Sequence, residues 1–308
     1  MSTTRTVQRQ RTRALAVLLA PITLLLGVFF LIPLGIMVVY SFLEPGLYGG
    51  VVWSFYPYSY GRLFGWPLGG LEEFEPLYLQ IILNSFKYAV ITVVVSLLIC
   101  YPTAFWVARM NGTVKNLVLF AITLPFFANL LVRIYAWLLL LRPTGTINTA
   151  LMSLGIIDAP LNMIFTEFAV IIGLVYVFIP FMFLPIYASV ERLDWSLVQA
   201  SQDLGASPLQ TFRRVILPLT APGIAGGSII VFIPALGNFI VPSFLGGSKV
   251  QMTGNVIERQ FLQARNWPFG STLAMVVMGS VLALVLIHLL NAARQRRRAE
   301  MVAGGAHA

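Results

Sequence analysis

ALAVLLAPITLLLGVFFLIPLGIMVVY, residues Ala14–Tyr40, runs 27 residues without a charge, directly after Arg5, Arg9, Arg11 and Arg13. A bilayer core of about 30 Å takes roughly 20 apolar residues of α-helix, so this run is long enough to cross a membrane. A basic start before an apolar run also suits a signal peptide, but such an h-region spans only about 7–15 residues. No small-residue cleavage site follows, so the run is expected to stay as a first span. The rest of the chain repeats the pattern. Of 308 residues, 58% are hydrophobic and 10% charged, against about 25% charged in soluble domains. Five more segments are expected to span: Ile81–Val107, Leu117–Leu141, Phe168–Tyr187, Gly223–Leu245 and Ser271–Leu290. The fold class is therefore an all-α integral membrane protein of six transmembrane helices.

Charge orders these spans. With the N-terminus in the cytoplasm, 13 of the 20 Lys and Arg residues fall in cytoplasmic segments, among them Arg109, Lys115, Arg192, Arg213, Arg214, Arg294, Arg296, Arg297 and Arg298. Acidic Glu72, Glu73 and Glu75 fall outside. The positive-inside bias thus puts both termini in the cytoplasm of a multi-pass membrane protein. It divides the chain into a tail 1–13, a transmembrane domain 14–291 and a tail 292–308. Within the domain lie outer loops at 43–80, 142–167 and 246–270 and a cytoplasmic loop at 188–218. The loop 43–80 is rich in Gly, Pro, Tyr and Trp and reads as an ordered cap or docking surface. A net charge of +9 would suit a nucleic-acid partner only if the basic residues formed a domain of their own, and they flank spans instead.

Composition also narrows the chemistry. Cys100 is the only cysteine, so no intrachain disulfide is possible; in an apolar span it reads as a small buried thiol. His288 and His307, the only histidines, have no Cys or carboxylate cluster beside them, so no metal site, cofactor site or catalytic constellation is expected. Gly246-Gly-Ser-Lys249 lacks the phosphate-loop pattern. A secondary transporter would show repeated halves and buried midplane carboxylates, and neither is present. Prolines 33, 102, 125, 180, 185, 234 and 242 fall within the spans, predicting kinked or broken helices. These are tolerated at membrane depth only where protein or a cavity surrounds the backbone. Gly223 and Gly227, spaced as Gly-x-x-x-Gly, predict close helix packing.

The cytoplasmic loop Glu191-Arg-Leu-Asp-Trp-Ser-Leu-Val-Gln-Ala-Ser-Gln-Asp-Leu-Gly-Ala-Ser-Pro-Leu-Gln-Thr-Phe-Arg-Arg-Val-Ile-Leu-Pro218 is the most informative segment. Asp194 is placed to cap a helix over Trp195–Leu204, with Leu197, Ala200, Ser201 and Leu204 on one face. Gly205 can take a left-handed conformation and end it. Ser207 then caps a second helix that opens on Pro208, with Leu209, Phe212, Val215 and Ile216 as its apolar stripe. The product is a two-helix elbow with a tip of small residues, Ala200, Ser201, Gly205 and Ala206. Periodicity alone fits either docking to another protein or a hairpin at the lipid surface with Arg213 and Arg214 on phosphates.

The spacing from Gln199 through Gly205 and Phe212 to Leu217-Pro218 resembles the Glu-Ala-Ala loop of ATP-binding-cassette (ABC) importer permeases. In that family the loop is a coupling helix seated in a cleft of the ATPase. Gln199 stands where the family usually has Glu, so one charge-assisted contact becomes neutral. The resemblance implies coupling roles for Gln199, Ala200, Ser201, Asp203, Gly205, Ala206 and Phe212. From Asn84 to Leu290 the chain is similar to the spermidine/putrescine permeases. This similarity is carried by Leu124-Pro-Phe-Phe-Ala-Asn-Leu-Leu-Val-Arg-Ile-Tyr-Ala-Trp137, Ile171-Ile-Gly-Leu-Val-Tyr176, Pro180-Phe-Met-Phe-Leu-Pro185, Phe232-Ile-Pro-Ala-Leu-Gly-Asn-Phe239, Phe244-Leu-Gly-Gly247, Gly254-Asn-Val-Ile257 and Asn266-Trp-Pro-Phe-Gly270.

What the resemblance implies is a type I importer fold and a non-catalytic subunit. It is paired with a second permease, two ATPase subunits that use ATP and Mg, and a periplasmic solute-binding protein. A polyamine path should offer carboxylates, carbonyls and aromatic faces; the candidates are Glu167, Tyr176, Phe181, Phe232, Asn238 and Phe239. No carboxylate lies around the outer half of the fifth span, where Asn238 and Ser243 stand. Arg133, about 12 Å inside its span at 1.5 Å per residue, is a functional candidate by depth, with snorkelling to the surface or pairing with a carbonyl freed by Pro125 as the structural alternative. Opines and amino-acid derivatives remain open as solutes.

Overall fold

The computed structural model describes the backbone at 2–66 and 76–305 and the side chains at 18–66, 76–287 and 290. Glu72, Glu73, Glu75, His288, His307 and the basic side chains of both tails lie outside the described residues. In chain order the elements are helix α1 (Ser2–Tyr40), strands β1 (Leu43–Pro45) and β2 (Val51–Phe55), and helices α2 (Tyr58–Leu63), α3 (Leu77–Ala108), α4 (Gly112–Phe127), α5 (Leu130–Leu141), α6 (Thr146–Ser153), α7 (Glu167–Glu191), α8 (Trp195–Asp203), α9 (Pro208–Thr211), α10 (Leu217–Leu236), α11 (Thr253–Leu262) and α12 (Trp267–Gly305). Wider π-type turns occupy Phe212–Ile216 and Pro242–Gly246. Among the described residues, six stretches are long and apolar enough to cross a membrane: Leu18–Tyr40, Leu77–Ala108, Leu130–Ser153, Glu167–Glu191, Pro208–Leu236 and Trp267–Ile287.

Two expected spans are not single helices. Leu117–Leu141 divides into α4 and α5, because Ala128 is extended (φ −75°, ψ 145°) and the Asn129 side chain starts a new helix by accepting the Leu131 N–H at 2.8 Å. Gly223–Leu245 begins earlier, at Leu217, and stops at Leu236. Asn238 restarts the chain by accepting the Val241 N–H at 2.9 Å. Pro102, Pro180, Pro185, Pro222 and Pro234 are accommodated inside their helices. Proline therefore marked where the ladder loses a donor without deciding where it parts.

The chain forms two compact units, Met1–Pro76 with Arg259–Ala308, and Leu77–Glu258. In the second, α7 packs against α3 and α10, and its buried side chains include Leu174, Phe178, Met182, Phe183 and Ile186. Glycines set the approach of α7 to its neighbours. A Cβ on Gly173 would fall 2.5 Å from Leu245 Cδ1, and one on Gly223 would fall 2.6 Å from Pro185 O and collide with the Ser189 hydroxyl. The close packing expected of Gly223 and Gly227 is against α7: a Cβ on Gly227 would meet Met182 at 3.0 Å. In the first unit, β1 and β2 pair as an antiparallel hairpin between α1 and α2.

Candidate coupling site and pathway residues

The elbow is built by its own short-range chemistry. Asp194 Oδ1 accepts the Ser196 N–H at 2.9 Å and caps α8. The Ser196 side chain and backbone N–H together hold the Asp194 carboxyl below its usual range. At the far end Gly205 takes φ +81°. Ala206 N–H reaches Ser201 O at 3.1 Å and Gly205 N–H reaches Gln202 O at 2.8 Å, the paired bonds that close a helix through a left-handed residue. Ser207 and Gln210 then cap each other: Gln210 N–H donates to Ser207 Oγ at 3.3 Å and Ser207 N–H to Gln210 Oε1 at 3.0 Å.

Contacts with α3 fix which side of the elbow faces inward. Phe212 meets Tyr101 edge-on with ring centroids 5.9 Å apart, and the Tyr101 hydroxyl hydrogen-bonds Thr220 Oγ1 at 2.9 Å. Trp195 meets Phe105 at 6.3 Å, with the Arg109 guanidinium 5.0 Å from the indole ring. Between α8 and α9, Ser201 Oγ and the buried Thr211 Oγ1 lie 3.0 Å apart. Lys115 pairs with Glu191 at 2.8 Å, and Tyr187 donates to the same carboxylate oxygen at 2.7 Å, which ties α4 to the last residue of α7.

Of the seven coupling candidates, Gln199, Ala200, Asp203 and Gly205 are exposed, Ser201 and Ala206 are half-buried, and Phe212 turns inward onto Tyr101. The expected face of Leu197, Ala200, Ser201 and Leu204 is exposed except at Ser201, which is half-buried against Thr211. Leu204 is 89% exposed, Leu209 66% and Leu197 46%, whereas Val198 fills the inside. Trp195, Tyr101, Phe105 and Thr211 are positioning residues that sequence reasoning missed. A tryptophan in the first turn of a short polar helix was the one signal available for them.

The pathway candidates do not form one cluster. Tyr176 meets Trp137 edge-on at 5.6 Å, and Phe181 meets Phe126 at 5.3 Å and Phe178 at 6.2 Å. Phe232 packs on Phe86 at 5.9 Å, on the α10–α3 side. Asn238 caps the break after α10, and Phe239 beside it is 45% exposed. The first turn of α11 reaches this break: a Cβ on Gly254 would fall 2.5 Å from Gly237 O, and Thr253 N–H donates to Ser85 Oγ at 2.7 Å. Glu167 already holds a cation, Lys87 Nζ at 2.8 Å. Arg133 has its Nε buried without a hydrogen-bond partner among the described residues, so pairing of that nitrogen with a carbonyl freed by Pro125 does not occur.

A family model described as "Binding-protein-dependent transport system inner membrane component" matches residues 90–299. The chain belongs to this family. It is a multi-pass permease subunit of an ABC importer, and the family's role is transport rather than catalysis. It is 46% identical over 215 residues to the spermidine/putrescine transport system permease protein PotB of Haemophilus influenzae, covering 70% of this chain and 75% of that protein. To PotB of Escherichia coli it is 44% identical over 220 residues, covering 71% and 80%. To the inner membrane ABC transporter permease YdcU of Escherichia coli it is 38% identical, covering 66% and 68%. The fold matches a chain of a bacterial ABC transporter that imports alginate, with TM-score 0.74 at 16% identity, covering 94% of this chain and 99% of that one. A second match, TM-score 0.71 at 17% identity, is to a chain of an alginate transporter in complex with a periplasmic protein bound to an alginate pentasaccharide; it covers 90% and 93%.

Proposed function

We propose that this permease conducts spermidine or putrescine, and that the elbow 191–218 carries the stroke of a separate ATPase to the spans. The observation that carries the coupling is the elbow's two-sidedness. Its inner side is pinned through Trp195 and Phe212 to α3, while Leu204, Leu209 and Ala200 face outward, exposed among the described residues. Exposed leucines around a small-residue tip suit insertion into a protein cleft. The PotB likeness supports the solute class. A pair of ATPase subunits binding ATP and Mg, a second permease subunit and a periplasmic binding protein complete the machine, with both termini of this chain in the cytoplasm.

In this reading ATP closes the ATPase dimer, the elbow moves as a rigid lever, and α3, α7 and α10 reorient. Moving a two-state equilibrium from 1:99 to 99:1 takes about 5.5 kcal/mol of differential binding, which the partner must provide. The test is uptake of labelled spermidine and putrescine by the reconstituted complex with its binding protein. ATP-dependent uptake that vanishes without the ATPase is the expected result. Uptake that persists without ATP and collapses with the proton gradient would overturn the coupling.

The unsatisfied Arg133 nitrogen favours a second reading for the solute alone. A guanidinium at membrane depth suits a carboxylate, and hence an opine or amino-acid derivative. Competition of these compounds with spermidine for the binding protein separates the two.

A further inference from the structure

Among the described residues, every side chain of the hairpin's second strand beyond Val51 is exposed. Trp53 is 79% exposed and Phe55 76%, and at the turn Leu47 and Tyr48 are almost fully exposed. An isolated two-stranded hairpin is marginal in water, and no charged residue occurs between Glu44 and Arg62. Some apolar or interfacial medium must cover it.

Both ends of the hairpin are tied to places where apolar helices end. At its base, β1 starts three residues after Tyr40 closes α1, and Tyr56 N–H returns to Phe42 O at 2.7 Å. Tyr40 stacks on Trp267, the first residue of α12, with centroids 6.2 Å apart, and Thr272 Oγ1 donates to Ser41 O at 3.1 Å. Tyr and Trp at span ends mark the lipid–water boundary. At its tip, Gly50 N–H donates to Arg265 O at 3.0 Å, two residues before that same Trp267. Two residues span at most about 7 Å of chain, so the tip is held at nearly the same depth as the base. A hairpin fixed at one level at both ends runs along the membrane surface instead of rising into the water.

We propose that the Leu43–Phe55 hairpin is a lipid anchor lying in the headgroup layer. Leu47, Tyr48, Trp53 and Phe55 rest against lipid, and the exposed Arg265 guanidinium sits at the phosphates. Amphipathic rings are favoured at that depth, and the surface continues the exposed apolar face of α1, in whose membrane window no described residue is buried.

Nitroxide labels on Tyr48→Cys and Trp53→Cys, made in a Cys100→Ser background, test this in the assembled complex in nanodiscs of phosphatidylethanolamine and phosphatidylglycerol. Expected is collision with dissolved oxygen several-fold favoured over a water-soluble nickel chelate. Preferential collision with the nickel chelate would overturn the proposal. So would protection from both probes, because a protein would then be the cover: the second permease if protection is constant, the binding protein if it appears on its addition. Where a label disturbs assembly, brominated phospholipids give a second measurement. Trp53→Phe should lose a resolvable part of the lipid-dependent fluorescence quenching seen in the unmodified protein, and unchanged quenching would count against the anchor.

Discussion

Ser201 Oγ lies 3.0 Å from Thr211 Oγ1, and this hydrogen bond staples α8 to α9 across the bend at Gly205. Thr211 is buried, so its hydroxyl has little access to water as a substitute partner. A net protein hydrogen bond contributes about 0.5–1.5 kcal/mol. Ser201→Ala and Thr211→Val should each loosen the elbow without dispersing the complex. The expected readout is more ATP hydrolysed per solute imported, and a double-mutant cycle should show coupling between the two sites. Strictly additive effects would mean that the staple does not carry force.

Gly205 tests the backbone separately from packing. It has φ +81°, and a Cβ there would meet nothing within 4 Å. Only the left-handed conformation opposes substitution, at about 1–2 kcal/mol for most residues. Gly205→Asn should retain most uptake, whereas Gly205→Val should uncouple hydrolysis from uptake or block assembly. Full uptake by the valine variant would remove the bend from the mechanism.

At Gly223 the opposite holds, since a Cβ would strike Pro185 O and the Ser189 hydroxyl. Overpacking a well-packed contact costs about 1–3 kcal/mol, and a backbone oxygen cannot rotate away. Gly223→Ala should lower the unfolding temperature of the detergent-solubilised protein by several degrees, while Gly226→Ala, with open space around the Cβ, should not. Equal thermal stability of the two variants would contradict the α7–α10 contact.

The two caps of the elbow should respond differently to acid. The folded-state pKa of Asp194 lies below its ordinary value near 3.8 because the ionised carboxylate accepts from Ser196. Its contribution is therefore present above the unfolded pKa and is lost as pH falls through the folded one. Ser207 has no titration in that range, and Ser207→Ala should cost about 1 kcal/mol at any pH. Asp194→Asn should abolish the acid-dependent fraying of α8 while keeping its start. Hydrogen exchange at Ser196 and Leu197 between pH 5 and 3 reads this directly, and identical profiles for the native chain and the asparagine variant would refute it.

Sequence alone determined the membrane class, the order of the apolar segments and the local skeleton of the elbow: Asp194 and Ser207 as caps and Gly205 as the left-handed stop. These are legible because each rests on hydrogen bonds or dihedral preferences confined to a few consecutive residues. Tertiary structure alone decided which side of the elbow is free. Tyr101 and Phe105, about 90–110 residues upstream, take Phe212 and Trp195 and so turn Leu204 and Leu209 outward. It also decided where two spans break, although their prolines had announced some irregularity. Pro125 lies inside α4 and the chain parts after it, where Asn129 can cap α5; Pro234 lies inside α10, which ends at Leu236, where Asn238 can accept the Val241 N–H. A missing N–H weakens a helix wherever proline stands, but the helix ends where neighbouring groups can satisfy the backbone that the break exposes.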